Sequence, residues 1–126
     1  MNPRILVVDD EPDVVTLMTR ALESEGFETL TAYDGISALD IAESEKPDLI
    51  LLDVMMPMMS GYEVCQQLKA SPATQYIPVL CVTSAHTVDA RERSRQAGAS
   101  TVILKPFTTA ELVAQIRRYL PENITS

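Results

Sequence analysis

The sequence predicts an α/β fold, in which a doubly wound, five-stranded parallel sheet lies between two layers of helices. Four short apolar runs are the first observation, because each is continuous, and a continuous run indicates a strand buried on both faces. A fifth segment alternates between apolar and polar residues, which is typical of a half-exposed edge strand. Helical patterns separate all five segments, and this alternation of strand and helix predicts a three-layer α/β/α sandwich with five helices.

The predicted strands are short and evenly spaced. The continuous runs are Ile5–Val8, Leu49–Leu52, Val79–Val82 and Val102–Leu104, and the alternating segment is Phe27–Ala32. An edge strand in second place fits the order 2-1-3-4-5 of flavodoxin-like sheets, in which strand 1 is internal. Ligands of such sheets bind beyond the carboxyl ends of the strands, where the strand order reverses between strands 1 and 3.

Four of the five helices show an apolar face or a clear end signal. The first buries one stripe, formed by Val14, Leu17, Met18, Ala21 and Leu22, and ends near Gly26. The second is predicted from Ile36 to Glu45, with Pro47 beyond its end. The third starts near Gly61 and buries Val64, Cys65 and Leu68. The last runs from about Thr108 to Leu120, and its inward-facing residues are Leu112, Ile116, Tyr119 and Leu120. Each therefore has a face that can pack on the sheet.

The fourth helical segment differs from the others. Between Thr87 and Ala97 apolar residues are few, and three arginines, Arg91, Arg93 and Arg95, recur. Helices draw most of their stability from the packing of an apolar face. We therefore expect this helix to be weakly anchored and able to move.

Length and composition indicate one folded domain. The chain has 126 residues, 46% hydrophobic and 22% charged, so we expect one domain over residues 1–121 and a frayed tail over 122–126. The net charge of −8 argues against direct binding to nucleic acid or anionic membranes, and no apolar run approaches the ~20 residues of a membrane span. Cys65 and Cys81 form no disulfide framework, so we expect a cytoplasmic protein with reduced thiols.

Polar residues cluster at the predicted carboxyl edge of the sheet. Asp9, Asp10 and Glu11 follow strand 1, Asp53 ends strand 3, Thr83 and Ser84 end strand 4, and Lys105 and Pro106 end strand 5. Close carboxylates repel one another unless a cation joins them, and Mg²⁺ prefers such oxygen ligands. The ion would neutralise an approaching phosphoryl group, which a carboxylate could attack to form an aspartyl-phosphate. Asp53 is the best nucleophile candidate because it ends the central strand, while Lys105 and Thr83 can hold phosphoryl oxygens.

Several motifs then match one family in order along nearly the whole chain. They are Val7-Val8-Asp9-Asp10-Glu11, Leu52-Asp53-Val54-Met55-Met56-Pro57, Ser60-Gly61, Val82-Thr83-Ser84-Ala85, Ala97-Gly98-Ala99 and Lys105-Pro106-Phe107. With these pieces the sequence closely resembles the receiver domain of two-component response regulators, of the chemotaxis-regulator type.

The resemblance implies a phosphoacceptor signalling domain rather than an enzyme. Asp53 would accept a phosphoryl group from a phosphohistidine on a sensor histidine kinase or phosphotransfer protein, and the domain would assist its own phosphotransfer and dephosphorylation. Asp10, Asp53 and the backbone carbonyl of Met55 would bind Mg²⁺ directly, and Asp9 largely through water. Thr83 and Lys105 would contact the phosphoryl group, Glu11 and Ser84 would support the site, and the Lys105–Pro106 bond would be cis.

The resemblance also implies where the signal leaves the domain. The fourth helix, fifth strand and fifth helix would form the output surface for a downstream protein or a fused output domain, with no contact of this chain to nucleic acid or membrane. A phosphorylation-dependent homodimer is one further expectation. Ser100 and Thr101 stand where relatives with salt-bridged dimers often carry acidic residues, which lowers that mode of dimerisation.

Three positions depart from the family pattern. Val102 stands where a Tyr or Phe often acts as a rotamer switch coupled to Thr83, so an aromatic switch at that position is in doubt. Met55 and Ala85 stand at the positions that tune the phosphoryl lifetime. Neither side chain can act as an acid or base toward an attacking water.

Other interpretations of the same residues stay open at this point. Asp9 and Asp10 alone would more simply cap the first helix, with Pro12 in its first turn. An aspartyl-nucleophile phosphohydrolase of the haloacid-dehalogenase type is the main alternative function, although Met55 stands where such enzymes carry a second aspartate. A flavin module would need a phosphate-cradling loop after strand 1, which the acidic residues oppose. A receiver-like scaffold that is never phosphorylated ranks lowest.

Overall fold

A computed structural model describes residues 2–84 and 88–121, and these residues form the predicted α/β sandwich. The strands are β1 (Arg4–Val8), β2 (Glu28–Ala32), β3 (Leu49–Asp53), β4 (Val79–Thr83) and β5 (Thr101–Leu104). The helices are α1 (Pro12–Ser24), α2 (Gly35–Glu45), α3 (Gly61–Ala70), α4 (Val88–Ala97) and α5 (Thr109–Tyr119). The expected tail, 122–126, and Thr87 lie outside the described residues.

All strand pairs are parallel, and the sheet order is β2-β1-β3-β4-β5, which confirms the prediction. β3 and β4 are buried along their whole length, as continuous apolar runs require. β2 is an edge strand of mixed exposure, as its alternating pattern predicted. The expectation of two buried faces is wrong for β5, because it forms the opposite edge and only Ile103 is fully buried there.

The core has one apolar layer on each face of the sheet. α1 and α5 cover one face through a cluster that includes Met18, Leu22, Leu112 and Ile116. α2 and α3 cover the other through a second cluster, which includes Ala38, Ala42, Val64 and Leu68. The two layers hold the strand ends in fixed register, so that residues following different strands meet at one edge.

The buried stripe of α1 is rotated by about one residue from the predicted one. Val15, Met18 and Leu22 are buried, whereas Leu17 is 71% exposed. The spacing of this actual stripe also follows i, i+3 and i+7, so periodicity alone did not separate the two faces. The end of the helix is as expected, because Gly26 has a φ of 93° and its N–H donates to the carbonyl of Glu23.

Local signals also fix the helices that border the carboxyl edge of the sheet. α3 and α5 each begin with a capping box, Ser60 with Glu63 and Thr108 with Glu111.

α4 has little apolar packing, since its buried residues among those described are Ala90, Ser94 and Ala97. Its sparse packing agrees with the expectation of a weakly anchored helix, and its motion stays a prediction.

Candidate functional site

Three carboxylates meet at the carboxyl edge of the sheet, where β1 and β3 lie side by side. Asp9 and Asp10 follow β1, and Asp53 is the last residue of β3. One carboxylate oxygen from each lies within 4.8 Å of the other two. Asp9 and Asp53 are buried, while Asp10 is half-buried. The structure therefore brings the predicted acidic residues to one point, at the place where the strand order reverses.

The carboxyl group of Asp53 has a raised pKa. This pKa is raised from the ordinary 3.8 to about 6, mainly by burial and also by the negative charges of Asp9 and Asp10. The backbone N–H of Met55, which donates to Oδ1 of Asp53 at 3.2 Å, and the positive charge of Lys105 oppose this rise. The charged form of Asp53 is therefore held at a free-energy cost that a bound cation would remove.

Asp9 links the acidic cluster to a cation of the chain itself. Its Oδ1 accepts the backbone N–H of Glu11 at 3.0 Å, and its Oδ2 lies 3.3 Å from Nζ of Lys105. The N-cap of α1 is Glu11, with Pro12 following and no side-chain cap hydrogen bond. Neither Asp9 nor Asp10 is thus the cap residue, and the simpler interpretation of this pair does not describe the structure.

Lys105 and Thr83 are placed by the pairing of β4 with β5. The backbone N–H of Lys105 donates to the carbonyl of Thr83 at 2.9 Å, next to the register pair of Thr83 with Leu104. The Lys105–Pro106 bond is cis, as expected. Thr83 is buried at the end of β4, and Ser84 is exposed directly after it. The hydroxyl and the ammonium predicted from the sequence therefore border the same edge as the carboxylates.

The β3–α3 loop follows Asp53, and Gly61 sets how closely the start of α3 approaches the backbone of Asp53. A Cβ atom at Gly61 would lie 2.3 Å from the backbone oxygen of Asp53 and 2.6 Å from Cα of Val54. The N–H of Gly61 also donates to the carbonyl of Val54 at 3.1 Å. Only a glycine fits here, so Gly61 supports the site by its close packing, a role that its place in the Ser60-Gly61 motif did not reveal. A glycine directly after the Ser60 cap was the available signal.

Two of the three residues that depart from the family pattern, Met55 and Val102, lie in the described part of the structure. The side chain of Met55 is 67% exposed beside Asp53. Val102 is half-buried and packs against a small cluster of Val54, Tyr62 and Cys81. Ala85 lies outside the described residues. Cys65 and Cys81 are both buried and unbridged.

The donor set fits a hard divalent cation. Three carboxylates within 4.8 Å of one another offer the oxygen ligands that Mg²⁺ prefers, and the half-buried Asp10 leaves the cluster open to water, which Mg²⁺ usually retains. No histidine or cysteine belongs to this cluster, so nothing in it favours a softer metal.

The chain matches known proteins over almost its whole length. The family model described as "Response regulator receiver domain" covers residues 5–117. The alkaline phosphatase synthesis transcriptional regulatory protein PhoP of Bacillus subtilis is 42% identical over 120 residues, which are 95% of this chain and 49% of that protein. The response regulator PleD of Caulobacter vibrioides is 44% identical over 117 residues, 93% of this chain and 26% of that protein. The chain thus spans about half or less of the length of these relatives.

Solved structures share the fold along their full length. The chemotaxis protein CheY4 of Vibrio cholerae superposes with a TM-score of 0.91 at 28% identity, covering 95% of this chain and 100% of that one. The receiver domain of the sensor histidine kinase PA1611 of Pseudomonas aeruginosa, described with a magnesium ion coordinated in its active site cleft, has a TM-score of 0.87 at 31% identity, with 94% and 98% coverage. In the part of the chain that the structure describes, no helix is long and apolar enough to span a membrane.

Proposed function

Because the chain belongs to the response regulator receiver domain family of two-component signalling, we propose that it accepts a phosphoryl group onto Asp53 in a Mg²⁺-dependent reaction. One observation carries the proposal, namely that Asp9, Asp10 and Asp53 meet at one point while the ammonium of Lys105 lies 3.3 Å from Asp9. An acidic cluster with a neighbouring cation suits phosphoryl transfer, in which positioning and charge neutralisation supply most of the catalysis.

Asp53 is the nucleophile in this proposal. The Met55 N–H holds its Oδ1, which fixes the orientation of the carboxylate and leaves Oδ2 as the attacking atom. Oδ2 forms a bond to phosphorus while the bond from phosphorus to the donor's histidine nitrogen breaks, and that nitrogen keeps the electron pair. With a pKa of about 6, Asp53 is mostly ionised at neutral pH and can act without a general base.

Two further side chains would hold the transferred group. Lys105 would move its ammonium from Asp9 toward a phosphoryl oxygen, because the phosphoryl group is the more highly charged acceptor. Thr83 would donate its hydroxyl to another oxygen from the end of β4. The backbone bond between Lys105, which precedes Pro106, and Thr83 keeps these two residues side by side at the ends of β5 and β4.

Mg²⁺ would be held by Asp9, Asp10, Asp53 and the carbonyl of Met55. Glu11 and Ser84 would support this site. When bound, the ion supplies positive charge that lets an anionic phosphoryl group approach the carboxylates. Asp9 is fixed by the Glu11 N–H and by Lys105, so we place it at the edge of this set, acting largely through water.

The partners follow from the same proposal. A sensor histidine kinase or a phosphotransfer protein in the cytoplasm would donate the phosphoryl group, and a downstream protein or a fused output domain would receive the signal.

We propose residues 1–121 as the receiver domain and 122–126 as its tail. Phosphorylation would draw Thr83 and Lys105 toward Asp53 and repack α4, which changes the surface formed by α4, β5 and α5. A homodimer formed on phosphorylation belongs to the same proposal.

The domain is a signalling module rather than a classical enzyme. A phosphohydrolase of the haloacid-dehalogenase type is not favoured, because the family match is to receivers and the exposed Met55 offers no acid or base. Any catalysis would be confined to its own phosphotransfer and to the loss of its own phosphoryl group.

Incubation with an acyl phosphate, read by the mass of the intact protein, tests the proposal. The wild type should gain one phosphoryl group with Mg²⁺ and none with a chelator, and Asp53→Asn should gain none. Asp40→Asn is the matched control, because Asp40 is an exposed aspartate of α2 outside the site. A phosphorylated Asp53→Asn, or equal labelling without Mg²⁺, would contradict the proposal.

A further inference from the structure

Tyr62 is the buried member of the four tyrosines and lies directly behind the phosphoacceptor strand. It is 9% exposed, whereas Tyr33 and Tyr76 are 46% and 62% exposed. Its ring belongs to a small buried cluster with Val54, the residue after Asp53, and with Cys81 of β4. This cluster is separate from the two main apolar layers, and it lies between the end of β3 and α4.

The backbone next to Tyr62 is tied to the backbone of Asp53. Gly61 packs so closely that a Cβ atom would lie 2.3 Å from the oxygen of Asp53, and its N–H donates to the carbonyl of Val54. A displacement of the Asp53–Val54 backbone therefore displaces the first turn of α3. Tyr62 is the first large side chain that such a displacement would move.

The other side of the Tyr62 ring is covered by α4. The guanidinium carbon of Arg93 lies 4.2 Å from the ring centroid, well within the range of a cation–π contact. α4 otherwise buries small residues among those described, Ala90, Ser94 and Ala97. The Tyr62–Arg93 contact therefore adds to the few contacts that attach this helix to the layer beneath it, such as the bond from the Cys65 thiol to the Ala97 carbonyl.

Val102 of β5 packs against the same cluster. The aromatic member of this cluster is Tyr62 of α3, whose neighbour Gly61 packs directly on the backbone of Asp53.

We propose that Tyr62, clamped by Arg93, is a positioning residue that holds α4 to the backbone behind Asp53. The significance of this clamp for signalling rests on the proposed function, whereas the clamp itself can be tested in the unphosphorylated chain. Breaking it should free α4 without unfolding the sheet.

Amide exchange of α4 in a double-mutant cycle tests the clamp. Arg93→Met keeps an apolar stem and removes the charge, and Tyr62→Leu removes the ring. Each single variant should speed exchange in residues 88–97 by about two- to tenfold, and the double variant should be no faster than the faster single one. Tyr62→Phe keeps the ring and removes only the hydroxyl that faces Ser94 of α4, so it should speed exchange less than Tyr62→Leu does. Arg91→Met, a matched exposed arginine of the same helix, should match the wild type.

Additive effects of the two variants, or equal effects of Arg91→Met and Arg93→Met, would overturn the clamp. Slow exchange in β3 shows that a variant is folded. If Tyr62→Leu does not fold, the comparison of Arg93→Met with Arg91→Met in the wild-type chain still decides the outcome, because Arg93 contacts the ring and Arg91→Met removes only an exposed charge.

A second measurement separates the clamp from the proposed function. After treatment with an acyl phosphate and Mg²⁺, Arg93→Met should gain the same phosphoryl mass as the wild type, but show a smaller phosphorylation-dependent change in α4 exchange. An equal change in both chains would overturn the coupling role. If the wild type gains no mass, the proposed function fails, while the cycle in the unphosphorylated chain still decides the clamp.

Discussion

Replacing Asp53 by Asn should stabilise the metal-free protein at neutral pH. The buried carboxyl group has a pKa of about 6 instead of 3.8, so the folded state holds its proton more tightly than the unfolded state does. Such a group contributes its full stabilisation below pH 4, and this contribution is lost as pH rises through 6. Asparagine is nearly isosteric and can still accept the Met55 N–H, but it carries no charge to bury.

The magnitude follows from the difference between the two pKa values. At about 1.36 kcal/mol per pKa unit, the difference corresponds to roughly 3 kcal/mol. Because Asp10 leaves the rim of the site open to water, we expect about 2 kcal/mol in practice. For a chain of 126 residues, a change of this size raises the melting temperature by about 8 °C.

Urea unfolding from pH 4 to pH 8 in chelator measures the effect. The variant and the wild type should have similar free energies of unfolding near pH 4 and diverge between pH 4 and pH 7. Asp40→Asn, which removes an exposed negative charge, should show no comparable divergence, and Mg²⁺ should stabilise the wild type more than Asp53→Asn. A variant that is less stable than the wild type at pH 7, or a gain that is independent of pH, would refute the reasoning.

Three further predictions concern the surroundings of the site. Gly61→Ala should lower the free energy of unfolding by about 2–4 kcal/mol, because the added methyl group overpacks against Asp53. Gly26→Ala meets open space but has a φ of 93°, so it should lower the free energy of unfolding by only about 1–2 kcal/mol. Urea unfolding compares the two variants, and equal losses would contradict the close approach of Gly61. Lys105→Met removes a charge that lowers the pKa of Asp53, so that pKa should rise above 6 in a carboxyl-selective NMR titration; an unchanged or lower value would count against the contact. Leu22→Ala should lose about 2–5 kcal/mol and the exposed Leu17→Ala less than about 0.5 kcal/mol in the same unfolding assay, and the reverse order would show that the face of α1 is misassigned.

The sheet was predictable because its strands are buried on both faces. The run Leu49–Leu52 correctly indicated a strand covered on both faces, and the alternation from Phe27 to Ala32 correctly indicated an edge strand, β2. The same reasoning failed for β5, because an edge strand can be apolar where a neighbouring helix covers it only partly. It also placed Leu17 in the core, since two overlapping stripes of α1 fit the helical period equally well.

The acidic cluster was predictable because the carboxyl ends of adjacent parallel strands must meet at one edge. Asp9, Asp10 and Asp53 therefore needed only the strand order to be brought together. Two features depend on three-dimensional contacts that no local pattern encodes. These are the close approach of Gly61 to Asp53 and the position of Arg93 over the Tyr62 ring.

Locating the phosphoryl group tests the central claim most directly. Borohydride converts an aspartyl-phosphate into homoserine, which peptide mass spectrometry assigns to one position. After treatment with an acyl phosphate and Mg²⁺, we predict homoserine at residue 53 alone, and none when a chelator replaces Mg²⁺. Homoserine at another aspartate, or at residue 53 irrespective of Mg²⁺, would contradict a site in which the acidic cluster binds the ion and Asp53 carries the phosphoryl group.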